Sequence, residues 1–214
     1  MRGDILIIGD HHRRAAEEII ELTISAIRAK SGKYFFTIAG ESGAGKSEIA
    51  YAMDRYLEKI NIPAYIIQQD DYFILPPKTN EKARVININR VGPEEVRLDL
   101  LNDNIRSLSV GQSAIQKPLV IFEEDRITQE TIDLASYKVI IIDGTYTTML
   151  EGIDCRVFID RDRHDTRNDR QKRNREKQNE YLESILEIEH NIISRHKEMA
   201  DLVVSKEYKV TRNI

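Results

Sequence analysis

Residues 34–48 read YFFTIAGESGAGKSE, and the architecture is decided there. Tyr34 to Ile38 is a β-branched and aromatic run of the kind that forms a buried strand. Gly40-Glu41-Ser42-Gly43-Ala44-Gly45-Lys46-Ser47 follows at once and agrees in full with G-x-x-x-x-G-K-[ST]. A loop with few bulky side chains lets successive backbone N–H groups curl around a polyphosphate. The helix expected from Lys46 to Ile60 adds its positive N-terminal dipole, and Ile49, Met53, Tyr56 and Leu57 fall on one of its faces. Lys46 has the reach for β- and γ-phosphates, and the Ser47 hydroxyl can ligate Mg²⁺. Glu48 joins these residues as part of the expected nucleotide-binding set.

Working outward, strands and helices alternate. Ile5 to Ile8 has strand character, and a helix spans His11 to Lys30, with Ala16, Ile19, Ile20, Ile24 and Ile27 at helical spacing. Further strands are expected at Ala64 to Ile67, Leu119 to Phe122, Val139 to Ile142, Val157 to Ile159 and Leu202 to Val204. Ile127 to Leu134 reads as short strand plus turn. Pro76-Pro77 to Arg90 has loop composition, a helix is expected from Pro93 to Leu108, and Asp162 to Lys197 reads as mostly helical. The pattern is that of an α/β fold around a mainly parallel sheet, in one domain over residues 1–214. Residues 1–30 form a strand–helix extension that adds an edge strand and covers a sheet face, with contact to a second copy (a homodimer) as the alternative.

In open α/β sheets, ligands sit beyond the carboxyl ends of the strands. Asp143 ends the apolar run Val139 to Ile142, the arrangement in which a carboxylate holds Mg²⁺. Asp70 and Asp71 follow the strand Ala64 to Ile67. Asp70 is suited to accept or orient an acceptor hydroxyl proton, or else is a solvated loop acid. Asp71 is read as bonding to nearby backbone.

Composition limits the rest. The 214 residues include 32 basic and 36 acidic ones, for a net charge of −4, so a globally basic nucleic-acid binder is disfavoured. Arg161 to Glu180 carries eight basic residues, but five acids are interleaved and no aromatic is available for stacking. Arg163, Arg167 and Arg170 recur there at i, i+4 and i+7, which suits either a solvated face or a phosphate-clamping lid. No apolar run is long enough to cross a bilayer, and no signal peptide is evident. Cys155 stands alone as a small core residue, and a cytoplasmic location is expected. No Asn-Lys-x-Asp guanine-reading element occurs.

From Tyr34 to Val204 the chain resembles the uridine kinase/phosphoribulokinase family. The resemblance is carried by Gly40 to Ser47, Gln69-Asp70-Asp71-Tyr72-Phe73, Val139 to Gly144, Phe158-Ile159-Asp160 with its following arginines, and Ala200 to Val204. It implies a three-layer P-loop NTPase sandwich, ATP and Mg²⁺, Asp70 as catalytic base, and Asp143 near the metal. It also implies a helical lid over about residues 161–180, with Arg163, Arg167, Arg170 and Arg173 as its arginines and Arg167 and Arg170 chosen as catalytic. Nucleoside-phosphorylating members carry an acid near Asn89 and an aromatic and a histidine around Pro118 to Arg126. Here Asn89 and the apolar Leu119, Val120 and Ile121 stand instead, so uridine and cytidine are expected to be poor acceptors. The expected activity is transfer of the γ-phosphoryl of ATP to a hydroxyl of a small metabolite, without nucleic-acid or membrane partners. A P-loop regulator that hydrolyses ATP slowly, and a toxin-like kinase acting on a sugar nucleotide, are the alternatives.

Overall fold

The computed structural model describes residues 6–173 and 179–213. Helix α1 (Asp10–Ala29) starts after an extended Gly9 and buries Ala16, Ile19, Ile20 and Ile27. Strand β1 (Tyr34–Gly40) is buried along its whole length, and α2 (Lys46–Lys59) follows the glycine-rich loop. Then come β2 (Ala64–Gln68), α3 (Pro77–Ile86), α4 (Leu98–Ser109), β3 (Ala114–Ile121), β4 (Arg126–Asp133) and β5 (Val139–Asp143). The order closes with β6 (Cys155–Ile159), α5 (Arg167–Arg173), α6 (Glu180–Ile193), β7 (Leu202–Val204) and β8 (Val210–Arg212).

The main sheet has the order β2-β5-β1-β6-β7-β8, parallel except for β8. Strands covered on both faces read as unbroken apolar runs, yet their period of two still sorts the side chains. Phe36, Ile38 and Ile141 join the core under α1 and α2, while Phe35, Ile140 and Ile142 join the one under α4. Each fully buried Ile, Leu or Phe contributes about 1.5–3 kcal/mol. Cys155 belongs to the first of these cores, and burial pushes its thiol up to about 12. No helix among the described residues is long and apolar enough to cross a membrane.

Several expectations give way. Leu6–Ile8 form no strand, and Ile5 lies outside the described residues; without a ladder partner, the run half-buries Leu6 and Ile8 by side chain alone. The segment expected to be a loop after Pro76 contains α3, because Pro77 occupies the first helical turn, where its missing N–H costs nothing. The helix expected from Pro93 is a short 3₁₀ turn, Pro93–Glu95, and α4 starts only at Leu98. Val96 intervenes, bridging Phe73 in extended conformation, while Ile74 N–H donates to the Glu95 carbonyl at 2.9 Å. Ile127 to Leu134 is strand over most of its length, paired with β3 in a two-stranded antiparallel sheet. The stretch expected to be mostly helical, Asp162 to Lys197, holds α5 and α6, with residues 174–178 of the expected lid outside the described residues.

Candidate active site

Parallel register brings the functional segments to one edge. Ile38 and Gln68 both pair with Asp143, so β1, β2 and β5 end level with one another. The loop Gly40–Ser47, Asp143 and the Gln69-Asp70 segment therefore share the carboxyl end of the sheet. Gln69 secures the junction: its side chain packs on Gly144, and its Oε1 accepts the Tyr146 N–H at 2.8 Å.

Within the loop, Lys46 Nζ donates to the carbonyls of Gly40 (3.0 Å) and Glu41 (2.8 Å). Glu41 is buried and pairs through Oε1 with His190 Nδ1 of α6 at 2.5 Å, tying the loop to that helix. Ser42 faces the cleft described below. Gly43 has φ +80°, and a Cβ there would stand 2.7 Å from Arg170 Cγ. Gly45 has φ +100°, and a Cβ there would meet Tyr208 Oη at 2.9 Å and His12 Nε2 at 3.0 Å. Both positions thus require glycine twice over, for left-handed backbone and for close approach.

The contacts at Gly45 expose a support that sequence reading missed. His12 Nδ1 accepts the Gly9 N–H at 3.1 Å, which leaves the proton of a neutral imidazole on Nε2. That N–H donates to Tyr208 Oη at 3.1 Å, and Arg161 Nη1 donates to the same oxygen at 2.5 Å. The phenol in turn donates to the Ala44 carbonyl at 3.3 Å. Arg161 also pairs with Asp169 of α5 at 3.0 Å. Glu48, in the first turn of α2, is buried, and its charge acts on the Tyr208 phenol.

Ser47 Oγ donates to Asp143 Oδ2 at 2.5 Å. Asp143 is 4% exposed, and its Oδ1 is buried with no hydrogen-bond partner among the described residues. Burial pushes its carboxyl up to about 6, against the Ser47 hydrogen bond, with the Asp70 charge adding to the rise. A hydroxyl and an orphaned carboxylate oxygen, held together at low dielectric, form a donor set that fits Mg²⁺. Asp70 itself is exposed and lines the cleft. Asp71 turns the other way: it accepts the Val120 N–H at 3.0 Å and pairs with buried Lys117 at 2.6 Å.

The arginines separate. Arg170 is 6% exposed and packs over Gly43; it donates to the Arg163 carbonyl at 2.9 Å and to Thr166 Oγ1. Arg167 is exposed, and the Arg173 side chain lies outside the described residues. A cleft of about 240 Å³ opens beside the loop, lined by Ser42, Asp70, Phe122 and Thr145 together with residues of α3 and α6. Asn89 is exposed and does not line it, and neither do Leu119, Val120 and Ile121.

A level edge carrying a glycine-rich phosphate loop, a strand-ending acid and a cleft is the arrangement of a P-loop kinase fold. Residues 35–211 match the Phosphoribulokinase / Uridine kinase family, and the chain belongs to that family. It is 25% identical over 188 residues to a bifunctional alpha-galactosidase/sucrose kinase of Mediterraneibacter gnavus, covering 81% of this chain and 20% of that protein. It is 28% identical over 127 residues to a uridine kinase of Ureaplasma parvum serovar 3, covering 58% of this chain and 60% of that protein. The structure of a possible uridine kinase from Bacillus stearothermophilus superposes with a TM-score of 0.64 at 20% identity, covering 89% of this chain and 97% of that one. The chain thus spans less than two thirds of these two curated relatives, and its first 34 residues precede the family match.

Proposed function

We propose that the chain is a Mg²⁺-dependent kinase that transfers the γ-phosphoryl group of ATP to a hydroxyl of a small metabolite. The observation that carries this reading is that one open cleft is lined by both Ser42 of the phosphate loop and Asp70. A slow ATP-hydrolysing regulator has no need of an acceptor-sized space there. Backbone N–H groups of residues 43–47 cradle the phosphates, and Lys46 exchanges its two carbonyl partners for β/γ-phosphate oxygens. Ser47 and Asp143 would hold Mg²⁺, which would neutralise phosphate charge. Asp70 takes the acceptor proton while the acceptor oxygen bonds to the γ-phosphorus and the bond to the β–γ bridging oxygen breaks, giving ADP and a phosphate ester. Arg170, against Gly43, compensates the charge that develops on the transferring group. The family relatives differ in the acceptors their names state, so membership leaves the acceptor open.

The test is ADP formation from Mg·ATP in the presence of sugars, polyols and nucleosides. At least one is expected to raise the rate above hydrolysis. The same rate with and without every compound would sink the reading.

The support behind Gly45 gives a second expectation. Tyr208→Phe removes the oxygen that His12 and Arg161 share and the donor to the Ala44 carbonyl, three hydrogen bonds worth about 1 kcal/mol each. Only part of that loss reaches the loop, so KM for ATP should rise about tenfold with kcat held within about twofold. Unchanged KM with a lowered melting temperature would show that the phenol serves stability alone.

A further inference from the structure

Two cations line the cleft beside Asp70, and one of them, Arg84, is already paired with a carboxylate. Arg84 Nε and Nη2 grip Glu95 at 2.8 and 2.7 Å. The same carboxylate accepts from Asn80 Nδ2 at 3.0 Å and from the Gly92 N–H at 3.2 Å. Glu95 is 2% exposed and has four donors on two oxygens, so it is a completed, charge-matched partner that pins α3 to the turn before α4. The Arg84 guanidinium is consequently spent on the protein and offers little field to a ligand anion. Lys78 Nζ donates to the Glu123 carbonyl at 2.9 Å and stands over the Phe122 ring.

Hydrogen-bonding groups of the opposite kind face the remaining space. Asp70 and Glu81 line the cleft as exposed carboxylates. Tyr181 Oη, on the α6 side, is buried without a hydrogen-bond partner among the described residues. Phe73 and Phe122 supply flat apolar faces. Carboxylates and a phenol match ligand hydroxyls, aromatic faces match the C–H face of a ring, and the lining carboxylates Asp70, Glu81 and Glu189 outnumber the exposed Lys78, which disfavours a second negative charge.

We infer that the acceptor is an uncharged compound carrying several hydroxyls, either a free sugar or polyol or the ribose of a nucleoside, and that acceptors bearing phosphate or carboxylate are rejected. This rests on the kinase reading above. It also replaces the earlier ground for excluding uridine, since Asn89, Val120 and Ile121 do not reach the cleft. The decisive experiment measures Mg·ATP-dependent kcat/KM on matched pairs: ribose and ribose phosphate, glycerol and glycerate, uridine and uridine monophosphate. Like-charge contact costs several kcal/mol, so the neutral member of any productive pair should exceed its anionic partner by about 100-fold or more. Activity in the ribose and glycerol arms points to a sugar or polyol, and activity confined to the uridine arm points to a nucleoside. Screening weakens repulsion, so raising the salt concentration should narrow the gap. Glu95→Gln, which removes the carboxylate that Arg84 grips and leaves it only the field of Glu189, should raise the anionic-to-neutral ratio about tenfold. An anionic compound used as well as or better than its neutral partner overturns the inference and leaves the kinase reading intact. No acceptor-dependent ADP with any compound of either charge overturns both.

Discussion

Lys46→Ala should lower phosphoryl transfer by about 10³-fold, the scale on which loss of one preorganised charge-stabilising donor is felt. In the structure the ammonium closes the loop on itself through Gly40 and Glu41, so it is held within the phosphate cup before any nucleotide arrives. Alanine leaves two carbonyls to water and removes the positive charge from the β/γ position. The fold should survive, because the loop is also supported through His190 and Tyr208. Single-turnover transfer, read beside the melting temperature, separates lost chemistry from lost structure. Turnover near that of the unaltered protein would remove the loop from the mechanism.

Asp70→Asn should cost about 10²-fold or more in kcat, the usual contribution of a positioned base, with KM for ATP little changed. The amide keeps the shape of the carboxylate and one acceptor oxygen but cannot take up the proton. Asp70 is the right residue to test because its neighbour is occupied elsewhere: Asp71 is buried against Lys117 and Val120. If kcat holds while ATP binding weakens, Asp70 serves the metal rather than the acceptor. The neighbouring Asp143 distinguishes the two roles, since its loss should weaken Mg²⁺ dependence and kcat together.

The parts of this fold that could be read from sequence are those in which local chemistry and tertiary role coincide. Glycines at 43 and 45 are demanded by left-handed backbone, and the Val/Ile run before Asp143 by burial on both faces. Helix α3 escaped because Pro76-Pro77 serves equally as a turn signal and as a helix start. Lys117 escaped because a lysine beside a proline looks solvated; its counter-ions Asp71 and Glu130 come from remote stretches. Arg84 and Glu95 lie eleven residues apart on separate elements, with no periodicity to link them. The arginines spaced for one helical face failed for a simpler reason: α5 begins only at Arg167, so Arg163 lies before it, and Arg170 turns inward while Arg167 does not.

His12 and Tyr208 are 196 positions apart and touch behind Gly45. Bringing them together closes nearly the whole chain into a ring, at a cost of about 5 kcal/mol in chain entropy. A nascent chain that has emerged only as far as β6 already holds the complete glycine-rich motif but not the phenol that backs it. The roughly tenfold in ATP affinity assigned to the phenol is therefore among the last properties the molecule acquires as it folds, and a bound nucleotide, by favouring the closed ring, helps to hold the two distant segments together.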